Sequence, residues 1–209
     1  MFFSASEAKA RIGETKVSDT MIASRLFDLV VVALLWGGLS NSATANSMAV
    51  GAKVLPPIGF IEFCIRNPGE CSEVTAMPHP ITLTPQRLTE LDRVQWEVNR
   101  QVRPREDLDQ YGKAEYWDYP GRFGDCEDYA LEKRRRLIAL GWPKSALLLA
   151  SAENDDGDMH LVLVAVTSKG DYVLDNRYRR ALPWDSVPYK WFKRQSQHKE
   201  STWVTILGG

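Results

Sequence analysis

Residues 124–141 run Gly124-Asp125-Cys126-Glu127-Asp128-Tyr129 and continue ALEKRRRLIALG. Asp125 stands where an N-cap belongs, Leu137, Ile138 and Leu140 are apolar, Gly141 is a C-terminal stop and Pro143 lies just beyond. The pattern predicts a helix from Cys126 to Leu140 with a cysteine in its first turn. Lys133 to Arg136 fall toward the negative end of that helix and read as a solvated face that complements the dipole.

Downstream come three β-rich or apolar runs, Ala146 to Ala152, Met159 to Thr167 and Asp171 to Leu174. Polar turns at 153–158 and 168–170 separate them, so they read as an antiparallel meander. A last strand is expected at Thr202 to Leu207, after a polar loop containing Trp191 and His198. Upstream, Thr84-Pro85 is a cap and first-turn pair, and Leu88, Leu91, Val94, Val98 and Val102 recur at three- and four-residue spacing. A second amphipathic helix follows, ending before Pro104. Residues 105–123, charged and aromatic with Gly and Pro breakers, form a structured loop, and residues 46–83 are irregular with a helical turn near Phe60 to Arg66. The class is α+β, helices packed on an antiparallel β-sheet.

Such packing would bring together Cys126, His160 at the head of a strand and Asp175 at the end of the next. Unpaired N–H groups at a helix start favour a thiolate, so Cys126 is placed to be a nucleophile with a lowered pKa. His160 can accept the thiol proton, and Asp175 can fix the imidazole tautomer, with Asn176 a weaker candidate for that role. The other histidines, His79 and His198, sit in a Pro-rich loop and a polar segment. Cys126 N–H and the Trp117 indole N–H are candidate donors to an oxyanion. Cys64 and Cys71, close together around Pro68-Gly69, read as a disulfide pair, which leaves Cys126 free.

Of 209 residues, 44% are hydrophobic and 25% charged, a globular composition, and a net charge of -1 offers no basic excess for nucleic acid. Arg25, the apolar run Leu26 to Trp36 and Ala43-Thr44-Ala45 read as an export signal cleaved after Ala45, with Met21 an alternative start. A permanent anchor is the competing reading, but the run is much shorter than the roughly 20 residues a bilayer needs. Two regions result: an N-terminal extension and signal over 1–45, and one domain over 46–209.

Gly124-Asp125-Cys126-Glu127-Asp128-Tyr129, Met159-His160-Leu161-Val162-Leu163 and Leu174-Asp175-Asn176 resemble the bacterial transglutaminase-like cysteine peptidases of the LapG type. Val98-Asn99, Asp109, Tyr111-Gly112, Tyr116-Trp117 and Pro120 extend the resemblance over 60–176, while residues 118–123 depart from the family pattern. The resemblance implies a papain-like, transglutaminase-like core, a triad of Cys126, His160 and Asp175, and a periplasmic location. It also implies a large adhesin as substrate, an inner-membrane cyclic-di-GMP receptor as regulator, and calcium held near Asp125, Glu127 and Asp128. Carboxylates in a helix first turn also stabilise the dipole without any metal. The loop 153–158 lacks the Glu of an EF-hand and reads as a hairpin turn. Two rival functions stay open: acyl transfer to an amine, which shares the acyl-enzyme, and a non-catalytic calcium-responsive binding protein.

Overall fold

The computed structural model describes residues 46–71 and 79–208. The expected signal, its cleavage point and the alternative start lie outside the described residues. No helix among the described residues is long and apolar enough to cross a membrane.

Two longer helices carry the architecture. Thr84 Oγ1 accepts from Arg87 N at 3.2 Å and opens α2 (Pro85–Gln101), as its cap-and-proline pair requires. Helix α4 (Cys126–Ala139) ends where Gly141, at φ +84°, turns the chain and Trp142 N donates back to Leu137 O. Shorter helices are α1 (Ile58–Arg66), tied down by the Cys64–Cys71 disulfide, and α3 (Asp107–Tyr111), ended by Gly112 at φ +68°. Strands β2 (Arg103–Pro104) and β3 (Phe123–Gly124) form a two-residue parallel pair that ties the end of α2 to the start of α4. A Cβ on Gly124 would sit 2.7 Å from Asp128 Cβ, so only glycine lets the chain enter α4 this closely.

The sheet is antiparallel throughout, in the order β1-β9-β8-β4-β5-β6-β7. Its centre is the expected meander, β4 (Leu147–Glu153), β5 (Met159–Thr167) and β6 (Gly170–Leu174), with β9 (Trp203–Leu207) the expected last strand. The turn 154–158 is a hairpin, Asn154 N donating to Asp158 O at 2.9 Å. Strand β7 (Leu182–Pro183) borders β6. Two further strands stand where irregular chain and a polar loop were expected, β1 (Ala49–Val54) and β8 (Lys190–Gln195). Strand β1 is an edge strand exposed along most of its length, so it carries no alternation, and Lys190, Lys193 and Arg194 mask that of β8.

Alternation in the central strands divides the core. Leu147, Leu149, Leu161, Leu163 and Leu174 face the helices with Leu91, Val98, Leu131 and Leu137. Ala150, Ala152, Val162, Val164 and Val173 face the opposite side, beneath Val187, Tyr189 and Trp191. The basic run of α4 is not the solvated face expected of it. Lys133 and Arg134 are buried, and Arg134 pairs with the buried Glu200 at 3.0 Å, because this side of α4 faces the sheet and the C-terminal segment. Arg135 and Arg136 reach Glu132 on their own helix at 2.7 Å.

Candidate active site

The first turn of α4 meets the first residues of β5. Cys126 Sγ accepts the backbone N–H of Leu161, the residue next to His160, and lies 3.2 Å from Glu127 Oε2. His160 Nε2 is 2.8 Å from Asp175 Oδ1, which leaves Nδ1 as the ring nitrogen not taken by that carboxylate. Cys126 and His160 together line two adjoining cavities. One, of about 160 Å³, is mostly apolar and includes Pro57, Trp117, Ser151 and Leu161. The other, of about 530 Å³, is polar and includes Glu106, Glu115, Asp125, Glu127 and Asp158.

Asp175 is held on every side. Tyr189 O–H donates to Oδ2 at 2.6 Å and Arg177 N to Oδ1 at 2.9 Å. Its backbone carbonyl accepts from Gln95 Nε2 and, at 3.2 Å, from Asn99 Nδ2, both on α2. Burial pushes the Asp175 carboxyl up, but the His160 hydrogen bond and charge, with Tyr189 and Arg177, outweigh it and hold the group below its ordinary value. Asn176, the alternative partner, lines the larger cavity but does not take the imidazole.

Cys126 departs from expectation in one respect. A helix start favours a thiolate, but burial first, and then the Glu127 charge and hydrogen bond, push the thiol well above its ordinary value. The Leu161 N–H works in the opposite direction.

Asp125 precedes α4 without capping it: its side chain makes no cap hydrogen bond, and Oδ2 accepts from Asp107 N at 3.1 Å instead. The carboxylates of Asp107, Asp125 and Glu127 come within 4.8 Å of one another, a set that could hold a metal ion. Asp128 is not in that group, although the sequence placed it there. It points back along the chain, where its Oδ1 accepts from Asp118 N at 2.9 Å. Burial, then the charge of neighbouring acids, pushes Asp125 and Glu127 up. Burial likewise raises Asp128 to about 8. Asp125 Oδ1 is buried without a hydrogen-bond partner. Trp117 lines the smaller cavity as an oxyanion donor should, but its Nε1 donates to Glu115 Oε2 at 3.0 Å.

The family model of the bacterial transglutaminase-like cysteine proteinases matches residues 50–209. The chain belongs to this family. It is a cysteine peptidase, with the transglutaminase-like α+β fold expected from the sequence. The fold is similar to that of calcium-bound LapG from Legionella pneumophila, with TM-score 0.50 and 24% identity over 59% of this chain and 71% of that one. The EGTA-treated form of the same protein gives TM-score 0.46 and 24% identity over 54% and 64%. No curated protein matches.

Sequence reasoning missed several parts of this peptidase's site. Asp107 sits among other acids at the start of α3, where nothing in the sequence singles it out. Tyr189 lies 14 residues beyond Asp175, in a segment read as loop. Asn99 was visible only as part of the family resemblance. In the structure its Nδ2 also donates to Tyr178 O at 2.9 Å, and so fixes the turn after β6.

The raised carboxyl pKa values set a pH dependence. A carboxylic acid that holds its proton more tightly when folded contributes stability below its unfolded pKa and loses it as pH rises through the folded value. For Asp128 that window runs from 3.8 to about 8, and Asp125 and Glu127 act in the same direction. In EGTA, the urea midpoint of the folded chain should therefore fall as pH rises from about 4 to about 8. Asp128→Asn should flatten the decline.

Proposed function

We propose that this peptidase is an endopeptidase acting through Cys126, His160 and Asp175 as nucleophile, general base and orienting carboxylate. The observation that carries the reading is the buried His160–Asp175 hydrogen bond of 2.8 Å, beside a sulfur that shares both cavities with the imidazole. His160 Nδ1 takes the thiol proton as sulfur attacks the peptide carbonyl carbon, and returns it to the departing amine as the C–N bond breaks. Water, deprotonated by the same nitrogen, then cleaves the thioester and restores the thiol. Asp175, fixed by Tyr189 and Arg177, holds the ring through both halves. The unpaired N–H groups at the start of α4 face the developing oxyanion.

Asp107, Asp125 and Glu127 fit calcium: three hard oxygen donors converge, Asp125 Oδ1 has no other partner, and mutual repulsion among them awaits a counter-charge. Bound there, calcium would supply positive charge beside the nucleophile's helix. Glu127, relieved of its repulsion, would then raise the Cys126 pKa less. A solved relative, the Legionella LapG, is described as calcium-bound.

We place the enzyme in the periplasm, exported by the apolar run at Leu26 to Trp36, with a secreted or surface protein such as a large adhesin as substrate and a cyclic-di-GMP receptor as regulator. The support is the signal pattern and the motif resemblance. The open, polar cavity also suits an extended protein segment.

A proteome-derived peptide library, read by mass spectrometry, tests the catalytic reading. Cys126→Ala should abolish cleavage, and His160→Ala should reduce it by about 10²–10⁴-fold, with thermal midpoints near the parent's. Cleavage persisting in folded Cys126→Ala would refute it. Calcium should raise the parent's thermal midpoint over that in EGTA, and Asp107→Asn should remove the rise. A rise that survives in Asp107→Asn places the ion elsewhere.

A further inference from the structure

Ser151 is only 5% exposed, and its Oγ has no hydrogen-bond partner among the described residues. A hydroxyl buried in this way opposes folding. Its neighbours on β4 are Ala150 and Ala152, and a third alanine at 151 would fit the strand without that penalty. Packing therefore does not account for the hydroxyl.

Its place in the sheet shows where a partner can stand. Ser151 lies directly opposite Leu161 on β5 and Lys193 on β8, and residues in register on antiparallel strands point to the same face. All three line the smaller cavity, so this row forms its floor, with Ser151 in the middle. The face is the helix side, because Ser151 continues the alternation of Leu147 and Leu149. At one end of the row the Leu161 N–H donates to Cys126 Sγ, so whatever rests on the floor lies beside the nucleophile. At the other end Lys193 Nζ donates to Leu55 O at 2.8 Å, and the Trp117 N–H is turned to Glu115. The register of β4 against β8 shifts between Ser151 and Ala152, and irregularities of this kind re-aim side chains next to active sites.

We propose that Ser151 is a specificity-determining residue, whose hydroxyl hydrogen-bonds a serine or threonine side chain of the substrate seated in the smaller cavity, next to the scissile bond. The proposal deepens the peptidase reading and rests on it. The size suits one modest side chain: a cavity of about 150 Å³ holds a benzene molecule, and this one has about 160 Å³. Pro57, Trp117, Met159 and Leu161 offer apolar walls to the carbon atoms. A hydroxyl both donates and accepts, so two of them can pair in either direction. Apolar walls alone separate threonine poorly from its isostere valine, whereas a buried hydroxyl that valine leaves unpaired separates them well.

The test compares the full chain with Ser151→Ala on paired peptides, threonine against valine and serine against alanine, at each position around a bond that the parent cleaves. At one position the parent should favour the hydroxyl member by about tenfold in kcat/KM. Ser151→Ala should bring that ratio to within about twofold of unity, with a thermal midpoint equal to or above the parent's. A parent without such a preference, a preference that survives Ser151→Ala, or a Ser151→Ala chain that is less stable than the parent would each overturn the proposal. Binding distinguishes this failure from that of the peptidase reading. The Cys126→Ala chain is mixed with the peptide library, and the peptides it retains are identified by mass spectrometry. If the parent cleaves nothing, yet Cys126→Ala enriches serine and threonine peptides and loses that enrichment with Ser151→Ala, the peptidase reading is at fault and the role of Ser151 holds. If neither cleavage nor retention favours the hydroxyl, the proposal falls.

Discussion

The start of α4 presses against the start of β5, and from that contact follows nearly everything the molecule can do. Leu161 N–H, left over at the mouth of the strand, donates to Cys126 Sγ, while His160 and Asp175 meet through adjacent antiparallel strands. Close approach demands the glycine at 124, which lets the chain enter the helix against Asp128. It also demands the apolar layer of Leu131, Leu137, Leu149 and Leu163, which holds the helix flat on the sheet. Burial of those side chains supplies the favourable free energy, and the polar site sits at the edge of that layer.

The arrangement opposes its own stability at several points. Asp107, Asp125 and Glu127 crowd one another, Asp128 is buried, and Lys133 carries its amine into the core without an acceptor. Each is a group that an optimally stable fold would replace. Clusters of this kind concentrate where chemistry is done, and here they surround one helix, the one that opens on Cys126. Buried acids around Cys126 and the buried amine of Lys133, about two turns further along, give α4 surroundings that its backbone dipole alone would not require.

Much of this was legible in the sequence, for identifiable reasons. The helix from Pro85 announces itself by Thr84 and by its apolar spacing, and the meander by β-rich or apolar runs between Gly-containing turns. Cys126, His160 and Asp175 could be singled out because a lone cysteine at a helix start and a single strand histidine leave few combinations, and the structure sets His160 against Asp175 and puts Cys126 and His160 on the same cavities. What escaped depends on tertiary context. Strand β8 is stabilised by its neighbours β4 and β9 rather than by its own pattern. Asp125 looked like a cap because caps are a local matter, whereas its actual partner, Asp107, comes from the start of α3, 18 residues away. Basic residues in a helix suggest a wet face, and only the packing of both sides of α4 reveals that Lys133 and Arg134 are inside.

The proposed chemistry depends most directly on Cys126 and His160 acting as a pair. Iodoacetamide alkylation of Cys126 at neutral pH measures this without any substrate, since the thiolate is the species that reacts. With calcium present, the His160→Ala variant should react about tenfold more slowly than the parent, or slower still, while keeping the same thermal midpoint. Equal alkylation rates in the two proteins would contradict the account, because the sulfur would then owe nothing to the imidazole.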